Sequence, residues 1–178
     1  MSREDKKYSK IRAFSRVDAH LPLELRVVSA EERGTIKART SGDMPLVDPR
    51  SLPELRDKVL GEWINMLNSK LDAIINKLSS EREGFGALPL AHVNISGGGL
   101  GFFSKDKYDA GDIIEAKLLL PMMPPVALFV YCEVVKVDHT AKGYMTSTKF
   151  VAMNEEITDE IVKFVFKRQR EILREQRR

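Results

Sequence analysis

Cysteine is almost missing from this chain, and the lone Cys132 excludes an internal disulfide and, by itself, a thiolate metal site. The three histidines, His20, His92 and His139, are scattered with no carboxylate at ligand spacing, so no metal is expected. Aromatic residues make up 7% of the chain. A barrel that stacks single-stranded DNA or RNA on its strands needs more of them exposed over a basic groove, and Phe102, Phe129 and Phe150 read as core, so no nucleic-acid partner is expected. Long apolar runs are missing too. Val126–Val130 and Ala116–Pro121 fall far short of the about 20 residues of a membrane span. Met1–Lys7 is polar with no apolar segment behind it, which predicts a cytoplasmic protein without a secretory signal. No Gly-x-Ser-x-Gly elbow and no acid/base constellation points to an enzyme.

What is present suits one domain with its own core: 178 residues, 43% hydrophobic and 31% charged. The net charge is +3, but it is unevenly spread. Residues 1–16 carry +4 and residues 163–178 carry +5, leaving a mildly acidic middle. That pattern fits a local anion site or solvated ends better than a surface made for nucleic acid.

The chain divides into a flexible basic arm over 1–16, a β-rich body over 17–157 with a helix inserted at about 51–79, and a closing helix over 158–178. Leu21, Leu23, Leu25 and Val27 alternate with polar or turn residues, as in a half-buried strand. Thr35–Arg39 reads as a weak second strand. From Pro89 onward, strands are expected at Leu90–Ile95, Gly99–Ser104, Ile113–Leu120, Val126–Val137 and Gly143–Val151, separated by turn residues. Short antiparallel strands at this spacing predict a small barrel. Ile161, Phe164, Val165 and Ile172 share one face of the closing helix, and basic residues in its last turns suit the helix dipole.

The inserted helix has start signals in Ser51, Pro53 and Glu54. Leu60, Ile64, Leu67, Leu71, Ile74 and Leu78 recur at spacings of four and three, an a/d heptad seam. Leu55, Val59, Trp63 and Met66 widen it in the first half. A stripe that wide predicts a homo-oligomer, dimer to tetramer, assembled through residues 53–79; a helix lying on its own sheet is the other arrangement it allows.

Two short elements could carry chemistry. Arg12-Ala13-Phe14-Ser15-Arg16 is an Arg-x-x-x-Arg, and two guanidiniums can grip phosphates bidentately and stack on a purine. Asn94-Ile95-Ser96-Gly97-Gly98-Gly99 is an Asn-x-Ser-x-x-Gly at a strand end. Its Asn oxygen can accept from the N–H donors of a guanine edge, and its Ser hydroxyl and glycine-flanked amides can hold a phosphate or purine closely. The glycines match no phosphate-loop pattern, since no Gly-Lys-Ser/Thr follows and the cluster lies between strands.

These paired motifs resemble the signature of PilZ domains, bacterial receptors for the second messenger cyclic di-GMP. The frame around them is similar as well, in Arg16–Leu23, Gly111–Pro121, Tyr131–Val137, Gly143–Phe150 and Ile161–Leu173. The resemblance implies a PilZ-type β-barrel that is not an enzyme and binds cyclic di-GMP through Arg12, Arg16, Asn94, Ser96, Gly98 and Gly99. It also implies an arm that closes on the nucleotide to signal to a downstream protein. In a usual member the two motifs are joined by a short hairpin, whereas here 77 residues separate Arg16 from Asn94. That insertion is similar to an atypical, tetramer-forming subgroup. A scaffold that assembles through the helix with idle motifs is the alternative.

Overall fold

The computed structural model describes residues 15–42, 57–141 and 143–177. Seven strands are present among the described residues: β1 (Arg16–Val27), β2 (Arg39–Thr40), β3 (Leu90–Ser96), β4 (Gly99–Ser104), β5 (Ile113–Leu120), β6 (Val126–Thr140) and β7 (Gly143–Val151). Two helices join them, α1 (Lys58–Arg82) and α2 (Glu155–Glu175). Neighbouring strands run antiparallel in the order β2-β6-β5-β1-β3-β4-β7, and β6 also pairs with β7. The six long strands therefore close into a barrel, with β2 as a short addition on β6. Closure removes the exposed sheet edges that would otherwise invite pairing with other chains.

Two long strands make the closure possible by changing partners midway. Arg16–Pro22 of β1 pair with β3, and Leu23–Val27 pair with β5. Strand β6 pairs with β5 up to Glu133 and with β7 from Tyr131 to Thr140, with a bulge between Val134 and Lys136. Inward residues alternate along β5, where Ile114, Ala116, Leu118 and Leu120 are buried. Ile157, Ile161, Phe164 and Val165 of α2 join the same core.

Several expectations change in detail. Thr35–Arg39 is mostly not a strand: Glu32–Gly34 form a turn of 3-10 helix, and only Arg39 and Thr40 pair with β6. Strand β1 begins five residues before Leu21. Phe102 is core, but Phe129 is only half-buried on the outer face, where it meets Phe85 edge-on at 5.1 Å and the Arg39 guanidinium at 3.8 Å. Helix α2 starts ahead of Thr158 because its N-cap lies earlier: Asn154 Oδ1 accepts from the Ile157 N–H at 2.9 Å.

Ser51, Pro53 and Glu54 lie outside the described residues. The described helix is capped by Asp57, whose Oδ1 accepts from the N–H groups of Val59 and Leu60. It runs on to Arg82, three residues past the expected Ser79, and buries none of its own residues. Its C-terminal end is tied to the barrel by Arg39, which donates to Glu83 Oε1 at 2.9 Å, and by the buried Phe85. Among the described residues, no helix is long and apolar enough to cross a membrane.

Candidate functional site

The two motifs meet because β1 and β3 are neighbours. Their antiparallel register pairs Arg16 with Ser96, Asp18 with Asn94, and His20 with His92. Val17, Ala19 and Leu21 point into the core, so Arg16, Asp18 and His20 face outward. An arginine and an Asn-x-Ser motif separated by 77 residues thus share one outer face of the barrel. Arg12 lies outside the described residues. Arg16 belongs to β1 rather than to the end of an arm, so its backbone is fixed by the sheet.

The polar groups on this face are arranged differently. Asn94 Nδ2 donates to Asp18 Oδ1 at 2.8 Å, which leaves the Asn94 amide oxygen toward solvent. The Arg16 guanidinium makes no ion pair with a described residue. Ser96 is 3% exposed, and its hydroxyl organises the turn: it accepts from the Gly98 N–H at 3.3 Å and donates to the Gly99 carbonyl at 3.4 Å. Gly98 is exposed at the tip, and its carbonyl accepts from the Phe150 N–H at 3.0 Å. Gly99 has a packing reason of its own. A Cβ there would meet the Thr148 carbonyl oxygen of β7 at 2.2 Å, so β4 and β7 approach as they do only because residue 99 has no side chain.

Helix α2 walls the site on one side. A groove of about 460 Å³ lies between Arg16, Asp18 and the α2 residues Gln169, Ile172 and Gln176. Gln169 Nε2 donates to the Arg16 carbonyl at 3.5 Å. Sequence reading missed Asp18 and the histidine pair. His20 and His92 are far apart in the chain, yet their rings stand 5.0 Å apart across β1 and β3. Only the strand register reveals such pairs, and the register cannot be read before β1 and β3 are known to be neighbours.

Chemically, this face offers the Arg16 cation, an Asp18 carboxylate engaged by the Asn94 NH2, one outward amide oxygen and a tight glycine turn. It suits an anionic ligand with donor edges. Cys132 is buried away from it, and burial pushes its thiol up to about 12, which removes it as a nucleophile. Among the described residues, no cluster of three or more histidines, cysteines or carboxylates could hold a metal.

The seam on α1 is a second feature. Leu60, Leu67, Leu71, Ile74 and Leu78 are all exposed in the single chain, along with Val59, Trp63, Met66 and Ile75, while Ile64 is half-buried. An apolar stripe of this length facing water marks a surface for association.

The PilZ domain family model matches residues 74–167. That span takes in the Asn-x-Ser-x-x-Gly motif and most of the barrel. Among solved structures, the chain is similar to a pathogenic protein from Xanthomonas campestris, described as a tetrameric PilZ domain self-assembled through an unusual helical bundle. The TM-score is 0.57 at 15% sequence identity, over 92% of each chain. A search of curated proteins finds no similar sequence.

Proposed function

The chain belongs to the PilZ domain family, a family of cyclic di-GMP receptors, and on that premise we propose that this protein binds cyclic di-GMP on the outer face of β1 and β3. The observation that carries the reading is the register of those strands, which sets Arg16 beside Ser96 and Asp18 beside Asn94. Arg16, with Arg12, grips the phosphates or stacks on a purine. The Asn94 amide oxygen accepts from a guanine edge. Ser96 shapes the turn, and the Gly98 and Gly99 backbone lets the ligand approach. The arm ahead of Arg16 closes over the nucleotide, and the closed arm is the signal a downstream protein reads.

In the same proposal the protein works as a homo-oligomer, dimer to tetramer, held by α1. The exposed seam supports this, because burying each Leu or Ile would contribute about 1.5–3 kcal/mol. The helical-bundle tetramer of the Xanthomonas protein is an assembly of the same kind.

A second reading is favoured by one observation. Ser96 and Gly99 each have a local structural role, in the turn and against Thr148, that needs no ligand. On that reading the protein is a scaffold that assembles through α1 and leaves the motifs idle. Calorimetric titration with cyclic di-GMP, with GTP as control, separates the two. Saturable binding of the cyclic dinucleotide alone supports the receptor, and no heat supports the scaffold.

A further inference from the structure

We infer that Asp18 is a positioning residue that makes the site selective for guanine: it holds the Asn94 carboxamide with its NH2 group turned along the sheet and its oxygen turned out. The inference rests on the cyclic di-GMP reading and adds to it the residue that sets base preference.

The geometry is direct. Asp18 and Asn94 are cross-strand partners on the outer face, and Nδ2 of Asn94 lies 2.8 Å from Oδ1 of Asp18. That is a charge-assisted length. An ionised carboxylate only accepts, so only the NH2 end of the amide can face it. The sense of the amide therefore follows from chemistry as well as from geometry. Among the described residues, none donates to the amide oxygen, which is left for the ligand.

The two common purines present different edges. Guanine offers the adjacent donors N1–H and N2–H2, and an outward oxygen accepts from them. Adenine offers an acceptor, N1, beside one donor group, the pattern a freely turning carboxamide can meet with its NH2 and oxygen together. The bond to Asp18 takes one of the two N–H donors and holds the NH2 end along the sheet, so the amide cannot turn that end toward adenine N1. The negative charge of Asp18 acts in another way, repelling the phosphates of any cyclic dinucleotide alike. The ratio of affinities for the two bases isolates the hydrogen bond from the charge.

The test measures binding of cyclic di-GMP and cyclic di-AMP to the full chain, to Asp18→Ala and to Asp18→Asn. Asp18→Ala is expected to lower the cyclic di-GMP over cyclic di-AMP affinity ratio about tenfold, since an oriented acceptor is lost. Asp18→Asn keeps an acceptor oxygen without the charge and is expected to restore most of that ratio, while affinity for both ligands rises. Asp18 is exposed, so both variants should keep the wild-type thermal midpoint. A ligand-free readout accompanies the titrations: the Asn94 side-chain amide resonances should move in Asp18→Ala. An unchanged ratio in Asp18→Ala, an Asp18→Asn protein that behaves like Asp18→Ala, or Asn94 resonances that ignore the substitution each overturns the positioning role. A wild-type protein that binds no cyclic di-GMP overturns the receptor reading itself, and the inference falls with it.

Discussion

Gly99→Ala should damage the barrel rather than trim the ligand site. The added Cβ would stand 2.2 Å from the Thr148 carbonyl oxygen and 3.1 Å from Lys149 Cα. Both are backbone atoms of β7, so no side chain can swing away. Relief needs roughly an ångström of strand displacement in a sheet closed on both sides, and overpacking of this kind costs about 1–3 kcal/mol. The backbone obstruction puts Gly99→Ala at the upper end, about 3 kcal/mol, which for a domain of this size lowers the thermal midpoint by roughly 6–12 °C. The control is Gly101→Ala on the same strand. Its Cβ would meet nothing closer than Asn94 Cβ at 3.6 Å, an ordinary contact, and should shift the midpoint by little. Thermal unfolding followed by circular dichroism measures both, at one protein concentration because the proposed assembly would contribute to stability. Equal midpoints for Gly99→Ala and wild type, or equal losses in the two variants, would refute the argument. If it holds, lost binding in a Gly99 variant says nothing about ligand contact, and Arg16 and Asn94 become the informative positions.

Other consequences follow from particular contacts. Leu71→Glu should dissociate the oligomer in sedimentation velocity yet leave the barrel folded, since Leu71 is 55% exposed in the single chain and α1 buries nothing there. Cys132 should resist alkylation in the native protein at pH 8, where a thiol raised to about 12 is ionised in about one molecule in ten thousand, and should react fully once unfolded. Arg39→Ala removes both the ion pair to Glu83 and the guanidinium over Phe129, and should cost about 1–2 kcal/mol in urea unfolding. Arg16→Ala should weaken cyclic di-GMP binding at least tenfold in calorimetry without moving the thermal midpoint, because its guanidinium pairs with no described residue.

The parts of the fold that were legible in the sequence are those with a strong period. Strands β4, β5 and β7 sit where alternation and turn residues place them, and the 3,4 spacing of α1 is unmistakable. The start of β1 was hidden because its inward residues there are Val17 and the small Ala19, between polar outward neighbours. Thr35–Arg39 has strand-like composition, but Thr35 closes the turn held by Ser29 and Glu32, and pairing begins only at Arg39. Phe129 reads as core by type, yet its place in β6 turns it outward under the end of α1, where Phe85 and Arg39 cover it. At the site, the motif residues could be named from the sequence, and their juxtaposition could not. Asp18 in particular carries no signal in the chain, since its significance lies in one cross-strand hydrogen bond to a residue 76 positions away.

The central claim is that the outer face of β1 and β3 holds the nucleotide. Backbone amide shift mapping on an isotope-labelled protein, with and without cyclic di-GMP, tests it most directly. The account predicts that shifts concentrate at Arg16–Asp18, Asn94 and Ser96–Gly99. Saturable shifts confined to another surface, such as the outer side of β6 around Phe129, would contradict it.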